Sequence, residues 1–152
     1  MANYATSVAD TNTDNTSLGY VYQPASPTRR PRLYDILLAS AATPADNAVN
    51  YEFQRMTAEN ATPGGTAITP QALDPADGTA LTLSRSAPTG EPTLTASAYL
   101  LQIPKNMRPT VRWVARQGGE LVIPATAANG ISVVADTPTT AYAERCTIHF
   151  AE

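Results

Sequence analysis

The chain has 152 residues, 43% of them hydrophobic and only 15% charged against a usual share of about 25%, and its net charge is −3 at pH 7. That length supports one domain with extensions, and a core that needs neither disulfides nor metals. The negative balance excludes the basic footprint of a nucleic-acid binder, the single cysteine (Cys146) excludes a disulfide framework or a cysteine-based zinc site, and no run of about 18 apolar residues reads as a membrane-spanning helix.

Residues 1–31 are rich in Asn, Thr, Asp, Ser, Ala and Pro. They show no helical or strand period and read as an extended N-terminal arm. No basic stretch leads into an apolar one, so no secretory signal is expected. Asp10 and Asp14 against Arg29, Arg30 and Arg32 leave a slight positive excess here, and the rest of the chain is acidic. Pro24, Pro27 and Pro31 make residues 23–31 a stiff connector.

Beyond the connector, short strand signals alternate with turn signals. An apolar run covers 33–39. Val49, Tyr51, Phe53 and Arg55 alternate with polar neighbours, the pattern of a half-buried strand. A Pro-Gly-Gly turn at Pro63, Gly64 and Gly65 precedes a strand near 66–69, and another strand fits 79–85. The stretch 94–103 is rich in Leu, Tyr and Thr and stops at Pro104. In 110–115, Val111, Trp113 and Ala115 share a face opposite Arg112 and Arg116. Gln117, Gly118, Gly119 and Glu120 read as a tight hairpin into 121–123. Strands at 131–135 and 145–150 complete about nine. Asp74-Pro75-Ala76-Asp77 could cap one helical turn, which Gly78 would cut short. The reading is an all-β chain: an arm and connector over 1–31, then an antiparallel β-sandwich, jelly-roll-like, over 32–152.

Chemistry-bearing patterns are sparse. Cys146 and His149 invite a nucleophile–base reading, but strand period puts Cys146 with Ile148 and Phe150 and turns His149 to the other face. One His and one Cys give no transition-metal spacing. Asp46, Asp74, Asp77, Glu91, Glu120, Asp136 and Glu144 fall mostly in or beside loops, where solvation and capping explain them. The glycine pairs lie between strands, as turns rather than phosphate cradles. No catalytic residue, metal or cofactor is therefore assigned, and the chain is read as not an enzyme. Arg29, Arg30 and Arg32 are too few for nucleic acid or a membrane surface, and either pair with acidic residues on a neighbour or are simply solvated. Tyr4, Tyr20 and Tyr22 are the aromatic anchors with which the arm would dock on a partner.

Three stretches carry a resemblance: 38–47; 73–77; and Arg112-Trp113-Val114-Ala115 with 118–131, which holds Gly118-Gly119-Glu120-Leu121-Val122-Ile123-Pro124-Ala125. They resemble small virion proteins of tailed bacteriophages, most of all head decoration, or cement, proteins. The likeness covers roughly 33–152 and leaves the arm aside. It implies a β-rich homotrimer on the outer surface of the virion, bound to the major capsid protein and assembled in the host cytoplasm. It carries over no catalytic residue. On this basis the arm would strap neighbouring capsid subunits through Tyr4, Tyr20, Tyr22, Arg29, Arg30 and Arg32. Two other readings stand beside it. One is a carbohydrate- or receptor-binding module of a phage fibre, using Tyr51, Tyr99, Trp113 or Tyr142; the other is a minor tail or neck protein.

Overall fold

The structure, a computed structural model, describes residues 1–12, 15–136 and 141–152; Asp14 of the expected arm lies outside them. Its strands are β1 (Asn3–Asn12), β2 (Thr16–Tyr22), β3 (Arg32–Ser40), β4 (Ala48–Ala58), β5 (Thr66–Ile68), β6 (Gln71–Ala72), β7 (Leu83–Ser86), β8 (Thr93–Asn106), β9 (Val111–Val114), β10 (Leu121–Val122), β11 (Gly130–Asp136) and β12 (Tyr142–Ala151). They form two six-stranded antiparallel sheets. In sheet A the order is β10-β3-β12-β1-β6, with β9 on the same edge of β3 as β10. In sheet B the order is β5-β7-β2-β11-β4-β8. Stripped of the short strands, the frame is β1-β12-β3-β9 facing β2-β11-β4-β8, and β1 to β4 alternate between the sheets. That is the jelly-roll arrangement.

The first 22 residues are therefore not an arm. β1 pairs with β12 from Asn3↔Ala151 to Asn12↔Tyr142, and β2 lies between β7 and β11. The boundary expected at 31/32 thus separates the two opening strands from the sheets that they complete. Of residues 1–31, the connector is the long described stretch outside the sheets. Its ends are tied down: Gln23 N donates to Asn129 O at 2.9 Å, and Ile123 N to Pro31 O at 3.0 Å.

Pattern explains the strands. β12 alternates, turning Cys146, Ile148 and Phe150 inward against Leu33, Ile36 and Leu38 of β3. β11, Gly-Ile-Ser-Val-Val-Ala-Asp, is buried on both faces at the centre of sheet B. Its β-branched residues suit that place. Gly19 marks a close approach between the sheets. A Cβ there would stand 2.5 Å from Arg85 O and 2.6 Å from Val8 Cβ, neither of which is a flexible end. Gly19→Ala is expected to cost about 2 kcal/mol or more, as overpacked sites do. A urea midpoint equal to that of the parent chain would contradict this.

Gly118 and Gly119 do not fold a β9–β10 hairpin. Both short strands pair with β3, at Asp35–Leu38 and at Arg32–Leu33, so the glycine turn joins two strands lying end to end along one edge. Asp74 caps a turn rather than a helix: its Oδ1 accepts from Ala76 N at 2.9 Å.

Among the described residues, the outermost strands are short or interrupted. β5, β6, β9 and β10 have two to four residues. β8 is long, but its register against β4 slips three times, Ser97 has φ 57°, and Pro104 lacks a donor. Lys105 of β8 points inward. Bulges, prolines and inward charges are the devices that stop strand addition.

Candidate interaction surface

The six residues expected to contact a partner divide by type. The tyrosines are inside. Tyr4 is 2% exposed and stacks on Phe150, ring centroids 5.6 Å apart, while its hydroxyl donates to Gly78 O. Tyr20 and Tyr22 lie on the outer face of sheet B yet are buried. They pack edge to face at 5.4 Å in a small cluster with Met56 and Leu94. Tyr20 Oη donates to Glu59 Oε1 at 2.9 Å, and Arg85 Nε lies 2.6 Å from the same oxygen. Burial, reinforced by Glu59, pushes the Tyr20 phenol up. These rings are thus taken up within the fold.

The arginines are outside. Arg29, Arg30 and Arg32 are exposed and make no ion pair among the described residues. Arg29 lines a cleft of about 420 Å³ together with Met1, Tyr4, Asp77 and Glu152. Glu152 is already engaged there, accepting from Leu81 N at 2.7 Å and Thr82 Oγ1 at 2.6 Å.

Most other charges hold the fold together. Lys105 Nζ lies 3.0 Å from Glu144 Oε1 with both side chains almost wholly buried, beside the hydroxyl pair of Tyr51 and Tyr142. Burial pushes the Glu144 carboxyl up against the pull of Lys105. Glu144 is thus a core residue rather than a loop one. It shares the inward parity of Cys146, Ile148 and Phe150, a signal present in the sequence. Glu52 accepts from Asn50, Gln54 and Gln102, and Glu91 accepts from Ser17 N.

Asp35, unremarkable in its apolar run, joins sheet A's outer face to β9. Arg112 grips it with two bonds of 2.9 and 2.6 Å, and His149 Nδ1 lies 3.2 Å from it. Arg112, then His149, hold its carboxyl below the usual range against the opposing effect of burial. A depressed carboxylate stabilises the fold above its ordinary pKa of about 3.9 and loses that contribution as pH falls through the folded value. Asp35→Asn should therefore lie furthest below the parent near pH 6 and converge with it toward pH 2 in thermal melts. A deficit independent of pH would refute the linkage. Cys146 is fully buried on the inner side of β12 and His149 faces outward, so the two do not form a nucleophile–base pair.

The outer faces of the sheets differ. That of sheet B carries the Tyr20 cluster and the buried polar groups Ser17, Ser132, Glu52 and Gln54. On sheet A it presents Ala5, Ser7 and Ala9 of β1, Thr147 of β12, Leu37 and Ala39 of β3, and Val114 of β9, all partly or well exposed. Leu37 is 37% and Val114 58% exposed. The expected carbohydrate platform separates: Tyr51 and Tyr142 are buried, Trp113 packs on the core, and Tyr99 stays exposed. Among the described residues, no group of three or more His, Cys, Asp or Glu is placed to hold a metal ion. No protein-family model, curated protein or solved structure matches this chain.

Proposed function

We propose that this chain is a structural protein of a phage particle, a decoration protein that binds the outside of the capsid shell as a homotrimer and stabilises the head. The resemblance over residues 33–152 supports this reading, and so does the fold at the level of analogy, since double-sheet jelly rolls recur in capsid and lectin domains. The observation that carries it is the open outer face of sheet A. A face made mostly of small side chains, with Leu37 and Val114 standing out of it and the exposed charges Arg112 and Arg145 beside them, suits close contact with protein. The blunted edges leave faces and corners, rather than strand addition by an arm, as the means of attachment. Arg29, Arg30 and Arg32 add charged contacts to the shell.

Purified heads lacking the protein, saturated with the recombinant chain and then heated, test the reading. The parent chain is expected to bind stoichiometrically and delay shell rupture. Leu37→Glu with Val114→Glu, both on exposed positions, should reduce occupancy at least about tenfold without changing the melt of the free protein. No binding by the parent chain would sink the proposal.

A further inference from the structure

One corner of the sandwich gathers four arginines around a single carboxylate. Arg32 of β3 pairs with Val122 of β10, and Val122 O accepts from Arg55 Nη1 at 2.9 Å, which brings β4 to the same point. Arg30 precedes Pro31, whose carbonyl accepts from Ile123 N. Arg116 begins the turn that enters β10; Ala115 N donates to Tyr34 O and Gly119 N to Arg116 O, both at 2.8 Å, so the turn lies against the start of β3. Arg30, Arg32 and Arg116 are exposed. The nearby carboxylate, Glu120, is engaged by its own turn: it accepts from Gly118 N at 3.2 Å. Loop amides, with Arg32 adding to them, hold it below the usual carboxylate range. No ion pair among the described residues involves any of the four arginines.

We infer that this corner, Arg30, Arg32, Arg55 and Arg116, is a docking point for a carboxylate-rich segment of a partner protein. It deepens the decoration reading, and rests on it, by giving the shell's contact a chemistry. Four like charges around one carboxylate, itself engaged by its own turn, leave an excess of positive charge whose repulsion an acidic partner removes. All four are Arg, whose planar fork matches carboxylate pairs, and Arg55 is already fixed in place by its bond to Val122. A chain of net charge −3 repels a long polyanion at range, which favours a short acidic protein segment over nucleic acid.

A labelled hexaglutamate peptide titrated into the full chain provides the probe, followed by anisotropy. Binding is expected at 50 mM salt and should weaken about tenfold or more by 300 mM. The triple variant Arg30→Ala, Arg32→Ala, Arg116→Ala should lose it, and the matching triple Lys variant should recover it only in part; Arg55 stays untouched because it supports β10. Absence of peptide binding at low salt, equal binding by the Ala variant, or tighter binding of a six-nucleotide single strand would each overturn the inference. The same variants assayed on heads separate the two readings. A parent chain that binds the peptide but not heads counts against decoration alone, whereas one that binds heads but not the peptide counts against the acidic partner alone.

Discussion

A chain lacking residues 1–22 is expected not to fold. Far-UV circular dichroism should show no cooperative thermal transition, and residues 23–152 should be digested by trypsin at every accessible arginine. The expectation follows from topology. The deletion removes β1, which covers the whole length of β12, and β2, which holds β7 to β11. It also removes Tyr4, Val8, Leu18, Tyr20, Val21 and Tyr22 from buried sites. At about 1.5–3 kcal/mol for each large apolar side chain, the loss is about 10 kcal/mol or more. That is comparable with the whole stability of a domain, about 5–15 kcal/mol. A dispensable arm would give the opposite result, a truncated protein melting with the parent. A milder probe is Tyr4→Ala, which removes the stack on Phe150 and should cost about 3–5 kcal/mol in urea unfolding.

Separating Lys105 from Glu144 should have the second-largest effect. The two side chains are 1% and 0% exposed, so removing either charge strands the other in the core. Lys105→Met alone is expected to destabilise by about 3–5 kcal/mol. The double variant Lys105→Met, Glu144→Leu should recover most of that loss, because well-packed apolar residues often replace a buried pair at no cost. Glu144→Gln should sit between them, since the amide remains a partner for the neighbouring tyrosine hydroxyls. Guanidinium denaturation of the parent, Lys105→Met, Glu144→Leu and the double variant closes a thermodynamic cycle. Additive losses in the double variant would mean that the two groups do not act as a pair.

The two halves of the sequence differ in how clearly they announce structure, for physical reasons. Nine of the ten strands of the body are legible, because residues such as Val49, Tyr51 and Phe53, or Ile131 to Val134, alternate or cluster in β-branched and aromatic runs, whereas the two-residue β6 is too short to show a pattern. β1 hides because its outward side chains, Ala5, Ser7 and Ala9, are as small and neutral as those of a loop, and Thr6 holds one of its inward places. β2 hides behind Gly19, which weakens a strand signal although the packing of Val8 requires it. The contact residues follow the same division. Exposure of Arg29, Arg30 and Arg32 was readable from charge and proline content. The burial of Tyr4, Tyr20 and Tyr22 was not, because their partners Phe150, Glu59 and Met56 lie far away in sequence. Asp35 and Arg112 are likewise 77 residues apart, beyond any local pattern.

The pairing of β1 with β12 also constrains how the molecule is made. β1 waits for β12: Tyr4 meets Phe150, and Val8 meets Cys146, only after translation has passed β12. β2 waits in the same way for β11. Sheet A cannot close before β12 is made, nor sheet B before β11, so folding is dominated by contacts between distant residues, which makes it slow. During that interval β1 and β2 lack their long partners, and chaperone dependence during overexpression should track the speed with which β11 and the ten-residue β12 are delivered.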